Sequence, residues 1–145
     1  MVRDGAISGA RYRSSVDGVR VVIQLDSTTK KLEISLSGAI TTNQPHITVC
    51  FHDVPAQTKT DFSDYRGAPK LTKANSTTAV TICEAPAQNN VTRNVTYISI
   101  YNADTVACTV NLRIDDAGTD YIQVLQTLAV GETLAYQAGG GWQVL

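Results

Sequence analysis

The chain has 145 residues, of which 43% are hydrophobic and 17% are charged, and its formal net charge is −1. This composition excludes a disordered chain, and the length suits one domain with a sizeable core. No apolar run reaches the roughly 20 residues that a membrane-spanning helix needs, and the N-terminus, which starts with Met1, lacks the apolar segment of a secretory signal. Either a signal has already been removed or the protein is made and used without export, and the retained Met1 favours the second. We also expect no contact with a membrane.

The first 17 residues are predicted to form a basic N-terminal arm, followed by a single β domain at residues 18–145. Residues 1–31 contain six basic and three acidic residues, a net charge of +3, whereas residues 103–145 contain one basic and five acidic residues, a net charge of −4. An excess of +3 is small for a nucleic-acid-binding arm, so we expect no direct contact with nucleic acid. The arm instead favours docking onto an acidic surface or a second copy, and an ordinary solvated surface is the simpler alternative.

Strand patterns occupy most of the first half of the domain. An apolar run at 18–25 indicates a buried strand, and alternating patterns at 31–37 and 45–53 indicate strands with one apolar face. A further strand is predicted at 76–85. The residues of this half that are predicted to point into the core are Leu32, Ile34, Leu36, Ile47, Val49 and Phe51.

Residues 54–75, between these strands, are predicted to form a long loop. The segment is polar and contains two prolines together with the isolated aromatic residues Phe62 and Tyr65. Loops of this length are uncommon inside compact domains and usually have a function or form an interface. We expect partner contacts in the arm and in this loop, at Arg3, Arg11, Arg13, Phe62, Tyr65 and Arg66.

The stretch from 94 to 145 has the clearest pattern in the chain. Five short runs rich in β-branched and aromatic residues are separated by Asn-Ala-Asp, Asp-Asp-Ala-Gly, Val-Gly-Glu and Gly-Gly-Gly, which predicts an antiparallel β-meander ending in a strand. No segment sustains helical periodicity. We therefore predict an all-β protein, an antiparallel β-sandwich or jelly roll of about nine or ten strands with no substantial helix. Core positions in this stretch are predicted at Ile98, Ile100, Cys108, Val110, Leu112 and Ile114.

Two groups of potential metal ligands each have a simpler interpretation. His46, Thr48, Cys50 and His52 lie on one face of a predicted strand, where two imidazoles and a thiol could contribute to a zinc site. Three in-line residues of one strand rarely surround a metal, so the alternative is a polar face that contacts solvent or another subunit. The carboxylates of residues 115–120 could attract calcium, but their Asp-Ala-Gly sequence also suits a hairpin turn. Both metal sites stay open at this point.

The sequence contains no recognisable catalytic constellation. Both histidines lie on one predicted strand, the Gly-x-Ser-x-Gly nucleophile motif is missing, and the glycines at 139–141 lead into a strand and not into a helix. The three cysteines form neither a disulfide framework nor a zinc motif, which suits synthesis in a reducing compartment. We therefore predict a non-enzymatic protein without catalytic residues or cofactors, whose function is binding or assembly.

Three segments, taken in chain order, resemble small virion proteins of tailed bacteriophages. They are KLEISLSGAITTNQPHITVCFHD at 31–53, YISIYNADTVACTVNLRIDDAGT at 97–119 and LAVGETLAYQAGGGWQVL at 128–145. The pattern shared with that group runs from a GAITTNQ strand pair through an NxDT turn to an LxxGETL…GWxVL ending. No catalytic residues accompany the resemblance.

The resemblance implies a virion structural protein, foremost a head decoration (cement) protein that stabilises the capsid. It further implies a homo-oligomer, with a trimer favoured, that contacts the major capsid protein or other virion proteins after assembly in the host bacterial cytoplasm. Modest contacts repeated over many capsid sites would give such a protein its avidity. The alternatives are a neck, tail or baseplate protein, or a carbohydrate-binding β-sandwich module. That module would need exposed aromatic residues, for which the candidates are Phe62, Tyr65, Tyr136 and Trp142, although Trp142 also suits packing in the last strand.

Overall fold

The computed structural model describes residues 22–55, 65–66 and 69–145. These residues form eleven β-strands and contain no helix. The strands are β1 Ile23–Leu25, β2 Lys30–Leu36, β3 His46–Pro55, β4 Tyr65–Arg66, β5 Lys70–Lys73, β6 Val80–Cys83, β7 Val91–Tyr101, β8 Cys108–Asp116, β9 Thr119–Leu128, β10 Thr133–Gln137 and β11 Gly141–Val144. Among the described residues, accordingly, there is no helix with the length and apolarity to cross a membrane.

The strands form two antiparallel sheets that pack together as a β-sandwich, which confirms the predicted fold class. In the seven-stranded sheet, β3 and β7 pair along their whole lengths at the centre. The other edge of β7 pairs first with β1 and then with β10, and β11 lies beyond β10. The other edge of β3 pairs with β5 and β4. The four-stranded sheet has the order β6, β2, β8, β9.

The core lies between the sheets and consists mainly of the side chains that alternate inward along the strands. Of the residues predicted to point inward, Phe51, Ile114 and Cys108 are only partly buried and pack against the edge of the core. The fully or nearly fully buried ones are Leu32, Ile34, Leu36, Ile47, Val49, Ile98, Ile100, Val110 and Leu112.

Phe51 is partly exposed because it lies near the exposed end of β3. A charged side chain, that of Arg93, covers part of its ring. The guanidinium of Arg93 lies 4.0 Å from the centroid of the Phe51 ring and pairs with both carboxylate oxygens of Asp53 at 2.7 Å. The Arg93 Nη1 also donates to the carbonyl oxygen of Glu84 at 2.8 Å. Since Glu84 follows β6, this arginine ties one sheet to the other at the edge of the core.

A β-bulge in β7 changes which residues face the core along that strand. Cys50 pairs with Tyr97 and Phe51 pairs with Val95, so Thr96 is the extra residue of β7. The Thr96 hydroxyl donates to the carbonyl oxygen of Cys50 at 3.2 Å. As a result Val95 and Ile98, three positions apart, both point inward and are fully buried. Simple alternation through the strand would have placed one of them on the outer face.

The predicted meander at 94–145 is wrong, because its five strands are divided between the sheets. β7, β10 and β11 belong to the seven-stranded sheet, whereas β8 and β9 belong to the four-stranded one. Only β8–β9 and β10–β11 are hairpins; residues 102–107 and 129–132 carry the chain from one sheet to the other. Asn, Asp and Gly suit both kinds of connection, so turn residues alone do not distinguish a hairpin from a crossing. The expected terminal strand is present as β11, and Leu145 exchanges two backbone hydrogen bonds with Thr133.

The interval 54–75 contains more strand than the predicted loop allows. β3 continues through Pro55, and β4 and β5 both pair with its outer edge. These short strands escape a pattern search because KLTK has little apolar alternation, and its ladder to β3 supplies the missing stabilisation. Residues 56–64 and 67–68 lie outside the described residues, as does the predicted basic arm.

Leu112 and Leu71 allow a test of the core with one and the same substitution. Leu112 is fully buried, whereas Leu71 on β5 is 76% exposed. We expect Leu112→Ala to lower the free energy of unfolding by about 2–5 kcal/mol, because it leaves a cavity between the sheets. Leu71→Ala should change it by less than about 0.5 kcal/mol. Chemical denaturation of both variants measures the difference, and equal losses would contradict the packing described here.

Candidate functional site

Asp104 connects two distant parts of the chain through its side chain. The residue is only 2% exposed, and its carboxylate accepts backbone hydrogen bonds from Thr41 (2.7 Å), Thr42 (2.7 Å), Asn43 (3.1 Å) and Thr105 (2.8 Å). Three of these donors belong to the segment between β2 and β3, which has no regular structure to satisfy them. The carboxylate therefore accepts the hydrogen bonds that a neighbouring strand would otherwise accept. It fixes that segment against the start of the crossing between β7 and β8.

Asn102 extends the same cluster to the far end of β9. The residue is fully buried, and its Nδ2 donates to the carbonyl oxygens of Val106 (2.9 Å), Leu128 (3.1 Å) and Ala129 (3.0 Å). Its Oδ1 accepts from the backbone N–H of Asp104 at 3.0 Å. The Asn102 side-chain amide thus joins its own crossing, residues 102–107, to the second crossing, residues 129–132. We call Asn102 and Asp104 the crossover node.

The turn between β9 and β10 is built to fit this node. Asn102 donates its backbone N–H to the carbonyl oxygen of Glu132 (2.9 Å) and accepts from the N–H of Gly131 (3.1 Å). Gly131 has φ of +81°, which an L side chain rarely adopts. The Glu132 carboxylate closes the turn by accepting from the N–H of Ala129 at 2.8 Å. The GAITTNQ, NADT and LAVGETL motifs therefore meet in space, and their polar residues make structural bonds.

Hydrogen bonding lowers the pKa of Asp104. The N–H groups of Thr41, Thr105, Asn43 and Thr42 stabilise the ionised form, that of Thr41 most strongly, and outweigh the opposing effect of burial, so the pKa falls from 3.8 to about 2. Within the described part of the chain no cation pairs with this carboxylate. A buried charge held by backbone dipoles alone points to a structural and not a catalytic role.

The strand face that contains His46, Thr48, Cys50 and His52 points away from the core, as predicted. The His46 ring packs at 6.1 Å from the Tyr101 ring, and the His52 Nε2 lies 3.3 Å from an Asn94 side-chain amide. The described residues contain no group of three or more His, Cys, Asp or Glu that could hold a metal ion. The outer face of this sheet also exposes Tyr97, Tyr101 and Leu71. A surface depression of about 490 Å³ lies beside it, lined by His46, Ile47, Thr48, Leu71, Thr72 and Lys73.

The Asp115 to Asp120 segment is the hairpin turn between β8 and β9. Ala117 and Gly118 have φ of +50° and +91°, as in a two-residue turn with both central residues left-handed. Asp115 accepts the N–H of Gly118 at 2.9 Å and pairs with Lys31 at 3.3 Å. Asp120 pairs with Arg113 at 3.1 Å. These two carboxylates thus point to separate cations on the outer sheet face and do not converge on one site.

A cleft of about 300 Å³ opens at this end of the sandwich, between β1 and the β8–β9 hairpin. Tyr121, 53% exposed, forms one wall, and the polar side chains of Gln24, Asp116 and Gln123 line the rest with Lys30 and Ile114. The Asp116 Oδ1 accepts from the Thr29 hydroxyl at 2.6 Å. Amides, a carboxylate and an aromatic face are groups that bind sugar hydroxyls and sugar C–H faces.

β9 exposes large apolar side chains that the sequence analysis did not single out. Ile122 is 64% exposed and Leu125 is 59% exposed, and both point away from the core. The available signal was the sequence YIQVLQTL, which has apolar residues on both faces of the strand. A strand that faces the core on one side and water on the other is expected to be polar on the second side. The departure marks a candidate interface.

Of the four aromatic candidates for an exposed binding site, Tyr136 is internal and Trp142 is partly buried. Tyr136 is fully buried, and its hydroxyl oxygen accepts the backbone N–H of Ile23 at 2.9 Å. Trp142 packs against it with ring centroids 4.9 Å apart, as its position in the last strand suggested. The partner-binding candidates Arg3, Arg11, Arg13 and Phe62 lie outside the described residues. For Tyr65 and Arg66 only the backbone pairing with β3 is described.

Burial makes two of the three thiols less reactive. All three cysteines are free. Burial raises the pKa of Cys83 to about 11 and also raises the pKa of Cys108. A thiol whose pKa is raised by burial is a poor nucleophile at neutral pH.

No protein-family model matches the chain, and comparisons with curated proteins and with solved structures also find no match.

Removal of the Asp104 charge should destabilise the fold in a pH-dependent way. Asn at position 104 would keep one acceptor but turn an amide towards N–H donors, so Asp104→Asn should lower stability at neutral pH. The folded-state pKa is depressed, so the charge contributes fully above about 4, and that contribution is lost as the pH falls towards about 2. Denaturation midpoints of wild type and variant should therefore converge over this interval.

Asp26→Asn serves as the matched control. Asp26 forms an exposed pair with Lys30 at 2.6 Å, and such pairs contribute little to stability. We expect a much smaller loss than for Asp104→Asn at neutral pH. Equal losses in the two variants would mean that the crossover node does not hold the segments together.

Proposed function

We propose that the chain is a non-enzymatic structural protein of a tailed-bacteriophage virion, and specifically a head decoration protein that stabilises the capsid. The observation that supports this most is the convergence at the crossover node. The three resembling segments are far apart in sequence, yet Asp104 and Asn102 bond directly to the 41–43 and 128–132 segments. Segments that proteins share because they share one architecture are expected to meet in the fold, as these three do. Unrelated turn motifs would be scattered over the fold.

The distribution of polar and apolar groups supports assembly as the role. The buried polar residues Asn102 and Asp104 are occupied by backbone hydrogen bonds. Five ionised side chains of the four-stranded sheet pair with one another: Lys31, Glu33, Arg113, Asp115 and Asp120. Large apolar side chains are instead found on outer strand surfaces, at Leu71, Ile122 and Leu125. Exposed apolar groups on rigid strands favour contact with other protein surfaces.

The proposed partners are copies of the chain itself and the major capsid protein or another virion protein. A trimer is the stoichiometry that the resemblance implies. The positively charged residues Arg3, Arg11 and Arg13 of the arm and Phe62, Tyr65 and Arg66 of the 54–75 interval are proposed to contact the capsid. A neck, tail or baseplate position is the alternative within the same class, and the virion is the proposed location in each case.

Immuno-electron microscopy of virions from the source of this sequence tests the proposal. We expect antibodies against the chain to label the whole capsid shell, and mass spectrometry of the same virions to recover the chain. An antibody against the tail tube, which should label only the tail, is the control. Label confined to the head–tail axis would replace the decoration role with a neck or tail role, and unlabelled virions without the chain would reject the virion assignment.

A carbohydrate-binding module is the second candidate, because the hairpin-end cleft presents Tyr121 beside Asp116 and two glutamine side chains. An aromatic face with neighbouring amides and a carboxylate is the chemistry that binds a pyranose ring. Tyr121 takes the place of the earlier aromatic candidates Tyr136, which is buried, and Trp142, which packs against Tyr136 at the edge of the core.

Glycan-array binding of the wild-type chain and two tyrosine variants tests this candidate. Tyr121→Ala should weaken any glycan binding by about tenfold or more, because it removes the stacking surface. Tyr97→Ala, which removes a 40% exposed tyrosine from the other sheet, should leave the binding unchanged. A wild-type chain that binds no glycan, or a Tyr121 variant that binds as well as wild type, excludes the cleft as a carbohydrate site.

A further inference from the structure

β9 is the end strand of the four-stranded sheet, and in the described residues only its β8 side is paired. About every second residue of this ten-residue strand therefore directs its backbone donor and acceptor outward along the free edge. Natural proteins usually protect such an edge with charged side chains, proline or very short strands. β9 contains no proline and has no charged side chain over its central part, where Ile122 and Leu125 are exposed, so its one protection there is a β-bulge.

A β-bulge at Gln123 gives this strand an unusual symmetry. Leu112 pairs with Val124 and Arg113 pairs with Ile122, so Gln123 is the extra residue. The outward-facing residues of β9 are consequently Asp120, Ile122, Leu125 and Thr127. Without the bulge, residues 122 and 125 would lie on opposite faces, because side chains alternate along a strand.

The positions of these four outward-facing residues are symmetric about the midpoint between residues 123 and 124. Reversal exchanges Ile122 with Leu125 and Asp120 with Thr127. Two copies related by a two-fold axis at that midpoint would therefore place apolar side chains opposite apolar ones, on the same face of the sheet. A bulge ordinarily discourages edge pairing, but here both copies would bend at the axis itself.

The charges favour this antiparallel arrangement over a parallel one. Asp120 is the single charged residue of β9 and lies near its beginning. Antiparallel pairing separates the two Asp120 carboxylates by most of the strand length and sets each opposite a threonine. Parallel pairing in register would place the two carboxylates side by side, which is destabilising.

We propose that β9 pairs antiparallel with β9 of a second copy across a two-fold axis between Gln123 and Val124, which joins two four-stranded sheets into one continuous sheet. The occupant is a second copy because the strand is complementary to itself in both apolar pattern and charge. The proposal concerns self-association alone and does not depend on the virion assignment. It favours a two-fold contact where the resemblance implies a trimer.

Sedimentation equilibrium of the full chain tests the stoichiometry. We expect a mass of two chains for wild type, and for Leu125→Arg a dissociation constant raised by about thirtyfold or more, as for a central interface residue. Leu71→Arg is the matched control, since Leu71 is even more exposed than Leu125 (76% against 59%) but lies on the other sheet, and this variant should remain a dimer. A monomeric or trimeric wild type, or dissociation caused by Leu71→Arg and not by Leu125→Arg, overturns the proposal.

Cysteine crosslinking tests the register independently of the stability of the variants. Opposed residues of an antiparallel pair have Cα atoms about 4.5–5.5 Å apart, within the range of a disulfide. The double variant Ile122→Cys/Leu125→Cys should therefore form covalent dimers under mild oxidation. Leu125→Cys alone should not, because the two copies of position 125 would be roughly 10 Å apart. Wild type controls for the native cysteines, and crosslinking by the single variant as efficient as by the double variant rejects the register.

Discussion

A buried carboxylate whose negative charge is stabilised by backbone N–H groups holds together the segments that carry the chain between the two sheets. Asp104 fixes the irregular segment before β3, and Asn102 fixes the segment after β9. Both residues lie in the crossing that follows β7, the central strand of the larger sheet. Because the chain changes sheet on either side of the β8–β9 hairpin, an error at this point would misplace four strands. The fold therefore depends on one short polar sequence whose bonds cannot be supplied by water once the core has closed.

The long strands add a second constraint through their bulges. In β7 an extra residue returns the apolar pattern to the core, so that Val95 and Ile98 are both buried. In β9 an extra residue has the opposite consequence, since Ile122 and Leu125 are both directed to solvent. The same local irregularity thus stabilises the interior in one strand and creates an apolar exterior in the other. The second case is informative about function, because exposure of apolar side chains on a rigid strand has no benefit to the isolated fold.

The surfaces and the interior are both consistent with the proposed binding or assembly role. The carboxylates of Asp115 and Asp120 in the β8–β9 hairpin pair with nearby cations, and burial raises the pKa values of the Cys83 and Cys108 thiols. The outer side of the larger sheet combines tyrosines with His46 and Leu71, and the smaller sheet ends in the apolar edge of β9. Two distinct exposed surfaces on opposite sheets would allow one chain to contact both its own copies and a different partner, as the proposed role in a repeated shell requires.

The sequence alone determined the fold class, the face of each long alternating strand and the hairpin at Asp115 to Asp120. These features follow from local periodicity and from turn residues with left-handed conformations, which act over a few residues. Three other features depend on contacts between distant residues: the division of the last five strands between two sheets, the strands in the 54–75 interval and the exposure of β9. The sequence Asn-Ala-Asp is equally suited to a hairpin and to a crossing. Only the pairing of Asp104 with residues 41–43, some sixty positions earlier, decides between them.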